Sequence, residues 1–70
     1  MGKFEEAVED AADSLADAWF HRDAGEHGDM GNSLKWYRIK CEDASRKFGA
    51  PLAKVKRLAK ERAISIYEEA

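Results

Sequence analysis

The sequence predicts an all-α fold, with three helices in a single small domain. Seventy residues are enough for one domain with a modest core. Apolar residues recur at helical spacings of three and four in three stretches, and a glycine-rich segment and a glycine–proline break separate these stretches. We therefore expect helices over residues 3–22, 33–48 and 51–69.

The first helix is predicted from a narrow apolar stripe. Glu5 and Glu6 lie in its first turn, where negative charge complements the helix dipole. Phe20 falls away from the stripe and indicates a contact surface. The side opposite the stripe is acidic, which fits a solvated face, a surface that meets a basic partner, or one that imitates nucleic-acid phosphates. The stripe consists of Phe4, Val8, Ala11, Leu15, Ala18 and Trp19, and the acidic side of Glu6, Glu9, Asp10, Asp13 and Asp17.

Residues 23–32, DAGEHGDMGN, contain three glycines and no apolar period. This composition is typical of a loop, so we expect a flexible polar linker here. The side chains that could bind a metal match no established ligand spacing, and we predict no metal site and no cofactor. These side chains are His21, Asp23, Glu26, His27 and Asp29.

The second helix is predicted over residues 33–48, with Asn32 or Ser33 as its cap. Trp36 and Ile39 point away from its apolar stripe. We expect the stripe to face the core; its members are Leu34, Tyr37, Cys41, Ala44 and Phe48.

The third helix is predicted over residues 51–69. Gly49 can take the left-handed conformation that ends a helix, and Pro51 suits the first turn of the next one. Ile64 lies among the cations of this helix. The core-facing residues are Leu52, Val55, Leu58, Ala59, Ala63 and Ile66, and the cations are Lys54, Lys56, Arg57 and Lys60.

Composition limits the possible functions. Twelve of the apolar residues are alanine, so the core is thin, and we expect a homodimer to supplement it. No apolar run approaches the ~20 residues of a membrane span, and no signal-peptide pattern occurs, so we expect a cytoplasmic protein with Cys41 reduced in the core. No catalytic motif is found, and we do not expect an enzyme.

Charge is distributed unevenly along the chain. Residues 1–33 hold nine acidic and two basic side chains, a balance of −7, whereas residues 34–70 hold ten basic and five acidic ones, a balance of +5. This polarity bears on partners and orientation and not on fold, and it argues against a protein that coats nucleic acid with its whole surface.

Residues 41–60 resemble the helix-turn-helix of bacterial and phage transcription regulators. In that family a small residue on the first helix packs against the second, and a glycine four positions later opens the turn; Ser45 and Gly49 occupy these positions. The family's flanking apolar positions match Ala44, Phe48, Ala50, Val55 and Leu58.

The resemblance implies a DNA-binding regulator that recognises double-stranded DNA with the third helix. Arg57 is the candidate for a bidentate contact with guanine. The side chains implied to hold phosphates are Arg46, Lys47, Lys54, Lys56 and Lys60, and the groove-facing set is Leu52, Ala53, Lys56, Arg57 and Lys60.

Two alternatives remain open at this point. The same pattern fits a helical corner that does not touch DNA. The chain could also be a small phage- or plasmid-type protein that binds and inhibits, or adapts, a host protein through its acidic helix and exposed apolar residues, for which Phe20, Trp36, Ile39 and Ile64 are the candidates.

Overall fold

The computed structural model describes residues 2–70 and consists of three helices: α1 (Lys3–Asp23), α2 (His27–Phe48) and α3 (Leu52–Glu69). This part of the chain contains no β-strand. The prediction of an all-α, three-helix fold is confirmed.

The turn between α1 and α2 is shorter than the sequence predicts. α2 begins at His27, six residues before Ser33, so the predicted linker over residues 23–32 is reduced to residues 24–26. Gly25 reverses the chain at a φ of 77°, and the Met30 amide already donates a helical hydrogen bond to the Glu26 carbonyl at 2.9 Å. A glycine within a helix costs only about 1 kcal/mol relative to alanine, and the packing of α2 along α1 outweighs that cost.

The turn between α2 and α3 has the predicted break. Gly49 adopts the left-handed conformation at a φ of 65° and ends α2. Pro51 caps α3, which starts one residue later than predicted. Across the turn, the Ser45 hydroxyl donates a hydrogen bond to the Ala50 carbonyl at 2.6 Å, so the small polar residue closes the turn and satisfies a carbonyl of the segment between α2 and α3.

Helix α1 forms the centre of the core. α2 and α3 pack far less against each other than either packs against α1. Most of the core side chains are small, which lets the helix backbones approach closely. The buried residues are Val8, Ala11, Ala12, Ser14, Leu15, Ala16 and Ala18 from α1, Cys41 and Ala44 from α2, and Val55, Ala59 and Ala63 from α3.

Aromatic contacts define the direction of the helices. At one end of the molecule, Phe4 meets Phe48 edge-on, with ring centroids 5.5 Å apart. At the other end, Trp19 meets Tyr67 edge-on at 5.6 Å. α1 therefore runs antiparallel to α2 and parallel to α3, and the end of α2, the start of α3 and the start of α1 lie together.

Candidate nucleic-acid interface

The first half of α3 presents a strip of exposed cations. Lys54, Lys56, Arg57 and Lys60 are all exposed, and none forms an ion pair within residues 2–70. Lys54, Arg57 and Lys60 follow one another at a spacing of three residues, and Lys56 lies four residues before Lys60, so these pairs project from adjoining turns. Val55 and Ala59, which lie between them in the sequence, are fully buried and hold this part of α3 against α1 and α2.

The strip is short. Lys54 to Lys60 covers about 9 Å of helix at 1.5 Å per residue. Beyond it, Glu61, Glu68 and Glu69 are exposed, and the Arg62 guanidinium donates through Nε to Glu9 Oε2 at 2.6 Å. The positive surface therefore belongs to the first half of α3, and the second half is acidic or neutralised.

The two predicted cations of α2 differ in their surroundings. Arg46 adjoins the start of α3, where it lines a shallow depression together with Leu52. Its pair with Asp43, at 3.4 Å, is exposed and contributes little. Lys47 instead lies over the Phe48 ring, with Nζ 5.7 Å from the centroid.

Lys47 also faces a groove of mixed charge between α1 and α2. The groove has a volume of about 530 Å³, and its lining includes Glu6, Asp10 and Asp43. These carboxylates reduce the positive potential around Lys47. Of the two predicted cations of α2, Arg46 thus adjoins the start of α3, whereas Lys47 lies over Phe48 and lines the groove between α1 and α2.

Leu52 contributes both to the core and to the surface of α3. Its side chain is partly buried and packs against the core cluster that contains Val55 and Ala59, whereas Ala53 is exposed. Leu52 therefore anchors the first turn of α3 as well as belonging to the predicted groove-facing set. Within the groove-facing set, Arg57 has the planar guanidinium group, whose paired N–H donors can contact the O6 and N7 atoms of guanine.

The acidic face of α1 is partly neutralised within the chain. Lys40 Nζ binds Asp10 Oδ1 at 3.1 Å and the Ser14 hydroxyl at 2.9 Å, and Arg62 binds Glu9 as described above. Burial, and then the neighbouring Glu9 carboxylate, raise the pKa of Asp13. Glu6, Asp13 and Asp17 remain exposed, so this face stays acidic.

The apolar residues of the alternative surface fall into two groups. The Phe20 ring lies 5.2 Å from the Tyr67 ring of α3, and Ile64 is three positions from Tyr67 on the same helix. Trp36 and Ile39 lie three positions apart on α2; Trp36 is 55% exposed and Ile39 is half-buried.

Sequence reasoning missed two residues of these surfaces. Leu34 is predicted for the core but is 40% exposed, and α3 as a whole packs little against α2. The shallow depression around Leu34 is lined by α2 residues alone. Tyr67 links α1 to α3 by an edge-on contact with Trp19, a tilted contact with Phe20 and a hydrogen bond that it donates to Asp23. A large aromatic residue near the end of a helix indicates a packing contact. The sequence does not identify the partners of Tyr67, because they lie 44 or more residues away.

Comparisons with protein-family models, with curated proteins and with solved structures found no match. Within residues 2–70, no helix is both long and apolar enough to cross a membrane.

Proposed function

We propose that this protein binds double-stranded DNA and acts as a small transcriptional regulator, with the first half of α3 as the recognition element. The observation that carries the proposal is the strip formed by Lys54, Lys56, Arg57 and Lys60, which is exposed and free of ion pairs within the described residues. Exposed cations clustered along one helix are typical of a surface that binds the phosphates of nucleic acid.

The shape of the strip supports this proposal. A helix with its side chains is about 10–12 Å across and fits a major groove about 12 Å wide, and the strip would extend about 9 Å along that groove. Arg57 would read a guanine edge, while Lys54, Lys56, Lys60 and Arg46 would hold phosphates. The net charge of the chain is −2, so its exposed carboxylates would be repelled by DNA. The chain would therefore approach DNA with α3 facing the duplex and the carboxylates of α1 directed away.

A homodimer is part of the proposal. One strip makes few phosphate contacts, and a second subunit would place two recognition helices about one turn of DNA apart. Four neutralised phosphates per subunit, eight in the dimer, would give a slope of about −7 in a plot of log K against log salt concentration.

The test is the double variant Arg57→Ala with Lys60→Ala. We expect it to lower the affinity for a mixed-sequence duplex at least roughly tenfold, since each good base contact is worth about 1–3 kcal/mol. Fluorescence anisotropy at two salt concentrations measures both the affinity and the salt slope.

The matched control is Lys35→Ala with Arg38→Ala. These two cations are also exposed and unpaired within the described residues, but they lie on α2, whereas the strip lies on α3. The control should retain most of the affinity. Equal losses in both double variants would show only a general charge effect, and an unchanged affinity in the α3 variant would contradict the proposal.

A second candidate function is binding of a protein partner through Trp36. The observation that favours it is the exposure of this large aromatic side chain, 55%, because exposed tryptophans are frequent energetic anchors of interfaces. Trp36→Ala should abolish the capture of a stoichiometric protein partner from a bacterial lysate without changing the helical circular-dichroism signal. Leu34→Ala, a change on a different side of α2, should leave capture intact. Nucleic acid without a protein partner in the captured material would count against this function.

A further inference from the structure

Three side chains with metal-binding atoms meet where α1 turns into α2. His21 lies in the last turn of α1, Glu26 caps α2 and Asp29 lies in the first turn of α2. One nitrogen or oxygen atom from each lies within 4.8 Å of the other two. The sequence predicts no metal site here, because the spacing of these residues matches no established ligand set.

The backbone of the turn holds the three residues in place. The Glu26 amide donates to the His21 carbonyl at 2.8 Å, and Gly25 makes the reversal at positive φ. The early start of α2 then places Asp29 one helical turn after Glu26, on the same side. The cluster is therefore a consequence of the short turn.

The distances suit a small divalent ion. Two ligands that each lie about 2.0–2.2 Å from Zn²⁺ are about 3.3–3.6 Å apart in a tetrahedron. His21 Nδ1 and Glu26 Oε1 are now 2.9 Å apart in a hydrogen bond. An ion would replace that bond by separating the two atoms by a few tenths of an ångström, and the exposed Asp29 side chain is free to rotate towards it.

We propose that His21, Glu26 and Asp29 bind a divalent transition-metal ion of the Zn²⁺ class, with water completing its coordination. One imidazole nitrogen and two carboxylate oxygens select such an ion over Mg²⁺ and Ca²⁺, which prefer oxygen ligands alone. The two carboxylates balance the charge of the ion. The end of the α1 dipole attracts a cation and the start of the α2 dipole repels it, so the helix dipoles largely cancel.

The site is independent of the proposed DNA function. It lies at the end of the molecule where Trp19 and Phe20 meet Tyr67, whereas the cation strip begins at the opposite end, beside the contact of Phe4 with Phe48. Metal binding at this turn would fasten α1 to α2 and stabilise the early start of α2.

The experiment is calorimetric titration of the full chain with ZnCl₂ at neutral pH, in a buffer that does not bind metals. We expect one saturable site in the wild type, and no comparable binding of MgCl₂. His21→Ala should weaken Zn²⁺ binding by more than the roughly tenfold loss that removal of even an outer-shell partner causes. Glu26→Gln and Asp29→Asn should each weaken it as well.

The matched control is His27→Ala. His27 is exposed on the same turn but is not part of the cluster, so its removal should leave Zn²⁺ affinity nearly unchanged. Circular dichroism checks that each variant is folded. The visible absorption of Co²⁺ added to the wild type, which strengthens when the ion leaves octahedral hydration for a tetrahedral site, reports coordination even if a variant fails to fold. Equal Zn²⁺ affinity in His21→Ala and the wild type, a loss in His27→Ala alone, or no saturable binding below about 1 mM would each overturn the proposal.

Discussion

Tyr37 shows how much one side chain contributes to joining the helices. Its ring packs against both apolar clusters of the core, and its hydroxyl donates to the Lys56 carbonyl of α3 at 3.3 Å. Burial raises the pKa of Tyr37 to about 12. The folded state therefore favours the neutral phenol.

The stability of the protein should consequently fall between pH 10 and pH 12. In the unfolded chain Tyr37 ionises near its ordinary pKa of 10.0, whereas in the fold it stays neutral to about 12. Its stabilising contribution is fully present below pH 10 and is lost as the pH rises through 12. Tyr37→Phe removes this loss.

Urea unfolding at pH 9 and pH 11 measures the effect. Deprotonation of lysines affects the wild type and Tyr37→Phe alike, so the difference between the two pH slopes isolates Tyr37. Identical slopes for the two proteins would contradict the assignment of the shift to Tyr37.

Cys41 is a second buried residue with a predictable chemistry. The sequence places it in the core, and the structure confirms this, with the residue fully buried. Burial also raises the pKa of the thiol. A buried, protonated thiol is a poor nucleophile, so Cys41 fits a packing role.

At the scale of the helices, two glycines of α2 have opposite roles. Gly49 has a φ of 65° and ends the helix, whereas Gly31 lies within the helix. A Cβ added at Gly31 would meet no heavy atom of the described chain within 4 Å. The two positions therefore respond differently to the same substitution.

Gly31→Ala should stabilise the protein by about 0.5–1 kcal/mol, because alanine restricts the unfolded chain and favours the helix. Gly49→Ala should destabilise it by about 1–2 kcal/mol, because a side chain is strained in the left-handed region. Chemical denaturation of the two variants measures both changes. A destabilised Gly31→Ala variant would contradict a helix that begins at His27, since residues 23–32 would then behave as the loop predicted from sequence.

At the scale of the whole molecule, α1 lies between the other two helices with alanines at its contacts. Ala11 is completely buried and shares one cluster with Cys41 and Ala44 of α2 and with Val55 and Ala59 of α3. Close approach of the three helices at this point leaves no room for a larger side chain.

Ala11→Leu should therefore destabilise the fold by about 1–3 kcal/mol through overpacking. Ala53→Leu adds the same atoms on the exposed side of α3 and should change stability by no more than about 0.5 kcal/mol. Thermal unfolding followed by circular dichroism compares the two. Similar stability of both variants would mean that α1 is not enclosed as described.

The sequence by itself determined the three helices, the break at Gly49 and the cations on the outer side of α3. Each of these features depends on residues within a few positions of one another, because helical periodicity and turn preferences are local. The bounds of α1 and α3 agree with the structure to within one residue for the same reason.

Only the tertiary structure decided which helix lies in the middle, where α2 begins and which charged groups meet. Leu34 fits a core stripe by its spacing, but its exposure depends on how far α3 lies from α2. Residues 27–32 are helical because packing along α1 outweighs a small local preference for a loop, and that early start brings Asp29 to His21 and Glu26. These outcomes rest on contacts between residues far apart in sequence, whose energies no local pattern contains.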